Sequence, residues 1–427
     1  MNDATALESG LLSEAELHER VARLAALDRS SASAGELAAA ELIAGELREL
    51  GARVRIERET VHGTHWWPTG LPVALATAGG LLGGRGGVLA RLGGAALAAF
   101  AAAAVADDLG GGSRWFRRHF LPERETANVA AELGDPSAER TVLLTAHHDA
   151  AHSGLIFHPE LGRGLFRRFP RTFGRIQTSP PLLWGAVGGP AAVALGALLG
   201  LRALRLAGTA VSAGYTAAMV DIGLRATVPG ANDNLTGVVV LLSLARALGA
   251  AGGAPPGLRV VLLSAGAEES HQEGMNAFAA RHFGSLPPER THVICLDTVG
   301  SPRLGLIEGE GMLKLKDYPS EVREFVQRCA DEAGVDLYRG MRFRNATDGV
   351  VALRAGYPSA SIGSVDEFKV PTHYHWPTDT ADRVDYATVA DAARLSLRLV
   401  ERLGEGGGAA ESPGNARARA GGEQSRA

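Results

Sequence analysis

Cysteine is nearly absent from this chain of 427 residues, which contains only Cys295 and Cys329. Two isolated cysteines cannot supply a CxxC-type zinc site or a disulfide framework. The chain also lacks a strong net charge, because 43 basic and 47 acidic residues leave a formal charge of −4. This balance gives no electrostatic reason to expect nucleic acid as a partner.

Several common motifs are missing as well. The sequence contains no G-x-S-x-G elbow, no Walker loop and no Rossmann fingerprint. The first residues are acidic and show no basic segment followed by an apolar run, so we expect no secretory signal and a cytoplasmic start. Residues 404–427 are rich in Gly, Ser and Arg without periodicity, which predicts a disordered tail.

Strand and helix patterns alternate over most of the chain. Apolar runs at Leu258–Ser264 and His292–Leu296 are typical of central parallel strands. Further strands are predicted at 53–60, 126–133 and 140–145, and helices at 11–50, 235–248, 321–334 and 386–403. We therefore predict an α/β fold with a mixed, mostly parallel sheet sandwiched by helices.

Two apolar regions depart from this pattern. In each region two nearly charge-free segments flank a short basic turn, and the four segments are 66–84, 92–106, 176–201 and 206–220. This arrangement is typical of transmembrane hairpins, which we place at 66–106 and 176–224. A span needs ~20 apolar residues, so the second segment of each pair is short unless Arg91 and Arg205 extend to the interface. Buried helices of a large soluble domain are the alternative.

Charge predicts which side of a membrane the remaining chain would occupy. The turns of the two hairpins carry Arg85, Arg91, Arg202 and Arg205. More arginines flank the other ends, namely Arg114, Arg117, Arg118, Arg163, Arg167, Arg168, Arg171, Arg175 and Arg225. By the positive-inside rule, this excess places the α/β part in the cytoplasm, attached to an integral membrane anchor.

Five short pieces outside the apolar regions carry acidic and imidazole side chains. They are His147-His148-Asp149, Gly230–Asn234, Glu268-Glu269, Asp297 and His375–Asp379. Most of them follow a predicted strand, which is where α/β folds present functional groups. Each piece alone has a plainer interpretation, such as a helix N-cap or a solvated acid pair. Together they indicate a cation site, because carboxylates and imidazoles are costly to gather without one.

These pieces resemble the motifs of the M28 family of zinc metallopeptidases, which are mostly two-zinc aminopeptidases. The match covers residues 12–61, 123–155 and 226–403 of an α/β peptidase domain that we place at 12–61, 123–175 and 226–403. His147-x-Asp149 resembles the family's His-x-Asp, and Gly230–Gly237 resembles Gly-Ala-x-Asp-Asn-x-Ser-Gly.

The resemblance also implies a role for each residue. His147 and Asp297 would bind one zinc, Glu269 and His375 the other, and Asp233 both. Asp149 would orient the His147 ring, and Glu268 would be the general base.

Some residues depart from the family's motifs or compete for a position in them. His271 and Met275 stand where the family has Gly and Ser, which affects the expected form of the substrate pocket. His373 competes with His375, but the spacing to Asp379-Thr380 selects His375. His148 and His152 have helical metal-pair spacing without the Glu of H-E-x-x-H, so we discount them. Asp348 is expected to lie in the pocket.

The predicted function is a membrane-anchored, zinc-dependent exopeptidase, specifically an aminopeptidase acting on peptides. A single-zinc cyclase of N-terminal glutamine, a carboxypeptidase and a non-catalytic membrane scaffold of the same fold are the alternatives. Zinc is expected, although such ligands also accept manganese or cobalt. The second hairpin lies between His147 and Asp233, which suggests that the active site faces the bilayer surface. Oligomeric state and substrate preference stay open.

Overall fold

The computed structural model describes residues 7–406, so the predicted tail lies outside the described residues from 407 onward. Nine strands form one sheet: β1 (Arg53–Val61), β2 (Arg124–Gly134), β3 (Arg140–His147), β4 (Leu258–Ala265), β5 (Thr291–Leu296), β6 (Arg303–Glu310), β7 (Lys316–Asp317), β8 (Tyr338–Phe343) and β9 (Ser359–Val365). Their order is β1-β2-β4-β3-β5-β9-β6-β7, and β8 pairs with β6.

Parallel pairing is limited to the central strands β4, β3, β5 and β9 and to the β6–β8 pair. The other neighbours are antiparallel. The predicted mixed α/β sheet is therefore confirmed.

Helices flank this sheet: α1 (Glu14–Ala25), α2 (Ala34–Glu49), α3 (Trp66–Leu82), α4 (Val88–Gly110), α5 (Trp115–Phe120), α6 (Pro159–Arg168), α7 (Pro170–Arg175), α8 (Trp184–Leu199), α9 (Arg202–Leu224), α10 (Thr236–Ala250), α11 (Glu273–His282), α12 (Ser320–Ala333), α13 (Gly349–Arg354) and α14 (Tyr386–Gly404). Successive strand residues point to opposite faces, so Leu143 and Leu144 enter different hydrophobic cores. The central strands are thus buried on both faces, which explains their continuous apolar sequence.

The predicted single helix at 11–50 is wrong, because the chain forms two helices, α1 and α2, with a break between them. The Ser33 side chain caps α2 by accepting a hydrogen bond from the Glu36 N–H at 3.1 Å. Such a cap favours starting a new helix over continuing the old one. The break carries Arg29 and Ser31 towards the carboxyl ends of the strands, where both make buried contacts.

The two apolar regions form a four-helix bundle beside the sheet. Helix α3 packs on α4, α8 packs on α9, and the pairs join through α4 with α8 and α3 with α9. Glycines allow close crossings: a Cβ on Gly79 would lie 2.7 Å from the Gly94 oxygen, and one on Gly208 would lie 2.7 Å from the Gly189 oxygen. Small residues at crossings are typical of helices packed in lipid.

The outer surface of the bundle is apolar. Its exposed side chains include Leu71, Leu75, Leu81, Leu92, Leu97, Phe100, Leu195, Leu198, Leu206, Val211 and Val220. Helix α4 has 23 residues, or ~35 Å of length, which exceeds the ~30 Å of the hydrocarbon layer. Within the described residues, only this helix and Ala231–Ala250 are long and apolar enough to span a membrane.

The second of these helices is a core element, since 83% of its most apolar window is buried. Helix α8 is apolar but shorter. The support for membrane hairpins is therefore weak, and the division into a peptidase domain with inserted hairpins stays a prediction.

Candidate metal centre

The carboxyl ends of three parallel strands bring the predicted residues to one edge of the sheet. His147 ends β3, Glu268 and Glu269 follow β4, and Asp297 follows β5. Asp233 lies in the irregular turn before α10, where its backbone and that of Asn234 are not helical and the Asp233–Asn234 peptide is cis. This edge is the place where open α/β sheets bind ligands.

Asp233 lies between two histidines. Its Oδ1 is 3.2 Å from His147 Nε2, and its Oδ2 is 3.2 Å from His375 Nε2. His375 Nε2 is also 3.3 Å from Glu269 Oε2. Ligand atoms of His147, Asp233 and Glu269 all lie within 4.8 Å of one another. One carboxylate oxygen therefore faces each histidine, as a carboxylate bridging two cations requires.

The donor set fits zinc. Glu269 Oε1 is buried and accepts no hydrogen bond, and buried Asp233 Oδ2 has only the 3.2 Å ion-pair contact with His375 Nε2. Buried carboxylate oxygens without donors are costly, and a divalent cation removes that cost. Imidazole nitrogen with carboxylate oxygen is a common zinc donor combination. These residues can therefore hold zinc.

The electrostatics of the cluster point the same way. Burial lowers the pKa of His375, but the Glu269 and Asp233 carboxylates outweigh it and raise that pKa to about 10. Burial, with the neighbouring carboxylates Asp233 and Asp348, raises the pKa of Asp297 to about 8. Protons held on this acidic cluster compensate for its negative charge. A bound cation would do the same and displace them.

Asp149 holds the edges of β3 and β4 together. Its Oδ1 lies 3.3 Å from His147 Nδ1 and accepts the Glu268 N–H at 3.0 Å. Its Oδ2 accepts the Glu269 N–H at 3.0 Å and the Ser31 hydroxyl at 2.6 Å. The hydrogen bond of the His147 ring itself is to the Asp149 backbone carbonyl, at 3.2 Å from Nδ1. Asp149 therefore contacts the His147 ring through both its carbonyl and its carboxylate, and the carboxylate fixes the backbone of both glutamates.

Asp297 and Asp348 stand further from the cluster. The pKa of Asp297 responds to the charges of His147 and Asp233, but within the described residues its carboxylate makes no hydrogen bond or ion pair. Both oxygens of Asp348 are buried without hydrogen-bond partners. Burial, with the charges of Glu269 and Asp348, raises the pKa of Glu268. The structure thus places both residues beside the site without direct contacts.

The histidines discounted from the sequence point elsewhere. His148 Nδ1 lies 2.9 Å from Ser264 Oγ, and His152 Nδ1 lies 2.7 Å from the Arg225 carbonyl oxygen. The ring of His373 is bound to Thr378 Oγ1 at 2.7 Å. His375, by contrast, faces Asp233, so the geometry favours it over His373.

Sequence reasoning missed several residues that support the site. Asp379, seen only as a motif neighbour, accepts the N–H groups of Asn232 at 2.8 Å and Asp233 at 3.1 Å. Arg29 is fully buried and donates to five carbonyls, including those of His148 and Gly230. No local signal identifies Arg29 as a supporting residue, since the partners that tie it to the site, His148, Pro229 and Gly230, lie far away in sequence.

Gln272 is a further supporting residue. Its amide donates to Glu268 Oε1 at 2.8 Å, while Glu268 Oε2 lies 3.9 Å from His147 Nε2. One oxygen of Glu268 is thus held and the other faces the cluster. The loop has positive φ at His271 (68°) and Gln272 (56°), a region that favours glycine. This explains why a glycine is expected at position 271.

Contacts from the helical bundle hold His271 and its loop. Arg117 forms two hydrogen bonds to Asp108 of α4, at 2.7 and 2.8 Å, and donates to the Ser270 carbonyl at 2.8 Å. His271 Nδ1 lies 3.1 Å from Asp108 Oδ2. Next to α3, His65 Nδ1 bonds to the Glu269 carbonyl at 2.9 Å. The base of the first hairpin therefore touches the loop that carries both glutamates.

Aromatic rings border the opposite side of the site. Tyr374 stacks on His375 with ring centroids 3.9 Å apart, and Phe157 meets the same imidazole edge-on at 4.6 Å. These rings restrict the movement of His375 and form an apolar wall beside the carboxylates. A cation site next to an apolar wall suits a substrate with a polar reacting bond and an apolar side chain.

The sheet order and the polar cluster at the strand ends define a zinc-exopeptidase type of α/β fold. Similar solved structures include a Zn-dependent exopeptidase from Parabacteroides distasonis (16% identity, covering 91% of this chain and 97% of that one, TM-score 0.53). An aminopeptidase from Aneurinibacillus sp. strain AM-1 is also similar (15% identity, 94% and 96%, TM-score 0.54). A glutaminyl cyclase from Bacteroides thetaiotaomicron matches to the same degree (13% identity, 91% and 98%, TM-score 0.54).

Residues 216–400 match the family model described as Peptidase family M28. Over these residues the match confirms the predicted resemblance to the M28 family. No curated protein sequence matches the chain. At these identities, the structural neighbours establish the fold alone.

Proposed function

We propose that this protein is a zinc-dependent aminopeptidase that hydrolyses the N-terminal peptide bond of its substrates. The observation that carries the proposal is the placement of Asp233 between His147 and His375, with Glu269 and Glu268 beside them. A packed core has no need for these groups at one strand edge, whereas metal-assisted hydrolysis needs all of them.

Each residue has a distinct part in this mechanism. His147, Asp233, Glu269, His375 and Asp297 would hold two zinc ions. Bound zinc supplies Lewis acidity, which polarises the scissile carbonyl and acidifies the attacking water. Glu268 Oε2 accepts a proton from that water as the C–O bond forms. It then delivers the proton to the amine nitrogen as the C–N bond breaks. Gln272 keeps Glu268 Oε1 in place during both transfers.

The Glu268→Gln variant tests this mechanism. Glutamine keeps the shape of the side chain but cannot accept the proton, so kcat should fall by about 10²- to 10⁴-fold. Zinc content per chain should stay at the wild-type value. Glu289→Gln, at an exposed glutamate outside the site, is the matched control and should leave kcat unchanged. Full activity of Glu268→Gln on a panel of aminoacyl amides would rule out Glu268 as the base.

A single-zinc glutaminyl cyclase is the second candidate. The cyclase fold neighbours and the lack of direct contacts at Asp297 support it. Metal analysis of the purified protein and identification of the products separate the two functions. Two zinc ions with free N-terminal amino acids support the aminopeptidase. One zinc with cyclised N-terminal glutamine supports the cyclase, and release from the other end supports a carboxypeptidase. No reaction with any substrate supports a non-catalytic scaffold.

We further propose that the four-helix bundle of α3, α4, α8 and α9 anchors the protein in a membrane with its catalytic part in the cytoplasm. The apolar outer surface, the glycine crossings and the length of α4 support this. The full chain should remain in the membrane fraction after alkaline carbonate washing and dissolve only in detergent. Recovery in the soluble fraction would contradict the anchor.

A further inference from the structure

The chain between His147 and the second hairpin contains a surface segment with an unusual composition. We call residues 158–176, which include α6 and α7, the rim segment. Neither of its helices has a buried residue. Leu161, Leu165 and Phe169 are 58%, 52% and 49% exposed. Leu161 and Leu165 are four residues apart and lie on one side of α6, and Phe169 follows directly after the helix. These three exposed side chains form an apolar stripe that faces away from the protein.

Arginines accompany this stripe. The rim segment contains Arg163, Arg167, Arg168, Arg171 and Arg175 but only one acidic residue, Glu160. Glu160 pairs with Arg167. Within the part of the chain that the structure describes, Arg168, Arg171 and Arg175 have no acidic partner. The surface thus combines exposed apolar side chains with unneutralised positive charge.

The opposite side of the rim segment is held against the catalytic part. Arg163 Nη2 lies 3.5 Å from Asp366 Oδ2, and the Phe166 and Phe368 rings lie 5.3 Å apart. Lys369 Nζ donates to the carbonyls of Gly174 and Ile176, both at 2.9 Å. The orientation of the segment is therefore fixed, with the apolar stripe outward.

The rim segment also lies at the base of the bundle. Just before it, the Leu155 N–H donates to Asp221 near the end of α9 at 2.6 Å. Just after it, Trp184 begins α8 and is 46% exposed. This base is the end of the bundle that joins the catalytic part. If the bundle spans a bilayer, the rim segment lies at the bilayer surface, the depth that tryptophan favours.

We propose that the rim segment is an interfacial element that binds the headgroups of anionic phospholipids on the surface of the anchoring membrane. This inference rests on the proposed membrane anchor. Its apolar stripe would enter the headgroup boundary, and Arg168, Arg171 and Arg175 would pair with lipid phosphates. Nucleic acid would use the arginines but leave Leu161, Leu165 and Phe169 uncovered, so the apolar stripe favours lipid.

Lipid binding at this surface would affect the metal centre through direct contacts between aromatic side chains. Phe157, which directly precedes the rim segment, and His158, its first residue, contact the loop that carries His375. Phe157 meets the His375 ring at 4.6 Å, and His158 meets Trp376 at 4.8 Å. A rim segment fixed on lipid therefore holds one wall of the candidate active site.

Hydrogen exchange of the full chain in lipid nanodiscs tests the proposal. Nanodiscs of phosphatidylcholine alone are compared with nanodiscs that also contain phosphatidylglycerol. Backbone amides of residues 159–175 should exchange about tenfold more slowly with phosphatidylglycerol present, and high salt should remove this protection. The triple variant Arg168→Gln, Arg171→Gln and Arg175→Gln should lose it. A matched triple variant at exposed arginines elsewhere, Arg48→Gln, Arg290→Gln and Arg328→Gln, should keep it.

Equal exchange in both nanodiscs, or equal loss in both triple variants, would overturn the lipid surface. Protection by single-stranded DNA that matches protection by phosphatidylglycerol would also overturn it in favour of a general polyanion site. Failure of the chain to enter nanodiscs would instead refute the membrane anchor. Sedimentation with phosphatidylglycerol vesicles then tests the rim segment alone. If the wild-type chain sediments no more than the triple variant of Arg168, Arg171 and Arg175, the proposed lipid surface is overturned.

Discussion

At the scale of single residues, the candidate metal centre depends on Asp379 and Arg29, whose side chains hold the backbone around the predicted ligands. Residues of ligand type follow apolar strands, and the resemblance of these pieces to the family's motifs selected His147, Asp233, Glu269 and His375 in advance. The structure brings these four together. Asp297 is adjacent without a direct contact, and its role as a ligand stays a prediction.

Arg29 shows why the supporting residues escape sequence analysis. Its guanidinium joins carbonyls from three stretches of chain, and nothing near position 29 indicates the distant partners His148, Pro229 and Gly230. Its position was also hidden by the prediction of one continuous helix. A buried hydrogen-bond network is a property of the packed fold, so single-sequence patterns cannot supply it.

The prediction at the scale of single residues concerns Asp379. In the Asp379→Asn variant one amide oxygen remains to accept, and the amide NH₂ faces the second backbone donor. The turn that carries Asp233 should shift, and zinc affinity should fall by about 10- to 100-fold. Chelator competition measures this affinity. Asp382→Asn is the control, because the Asp382 side chain is 88% exposed and should not affect zinc. Unchanged affinity in Asp379→Asn would show that the turn is held without it.

At the scale of elements, periodicity and apolar runs predicted most helices and central strands. The prediction failed where a local contact, such as a helix cap, determined the structure. The chain breaks between α1 and α2 where the Ser33 side chain caps α2. The apolar periodicity over 40 residues predicted one continuous helix and did not reveal this cap. The apolar hairpins were recognised by length and charge. Their contact with the catalytic loop was not, because Asp108 and Arg117 lie far in sequence from Ser270.

The prediction at the scale of elements concerns Arg117. In the Arg117→Lys variant the charge remains, but one ammonium cannot replace both bonds to Asp108 and the bond to the Ser270 carbonyl. The loop bearing Glu268 and Glu269 should lose its exact placement, and kcat should fall by about tenfold or more. The pH dependence of kcat/KM should also change, whereas a stability loss alone would leave it as in the wild type.

Arg118→Lys is the matched control, since Arg118 is the exposed neighbour without an ion pair in the described structure. It should keep the wild-type kcat. A folded Arg117→Lys protein with wild-type kcat and pH profile would mean that the bundle base does not position the catalytic loop.

At the scale of the whole molecule, both hairpins leave the catalytic part and return to it at the same end. A bilayer-spanning bundle therefore places its turns on one side and all the predicted ligands on the other. The larger number of arginines at the base predicts that the ligands face the cytoplasm. The sequence predicts this orientation only from the number of arginines at each end of the bundle, because no packing contact distinguishes the two sides of the membrane.

Cysteine labelling can determine the orientation, because the native Cys295 and Cys329 are both 1% exposed. An Arg85→Cys variant introduces a thiol at the turn between α3 and α4, and Glu289→Cys introduces one on the catalytic part; both positions are exposed. With a membrane-impermeant maleimide, intact cells should label the Arg85→Cys variant, and only lysed cells should label Glu289→Cys. The opposite pattern would reverse the orientation. Labelling of both variants only after lysis would show that the bundle does not cross the membrane, since its turn would then share a compartment with the catalytic part.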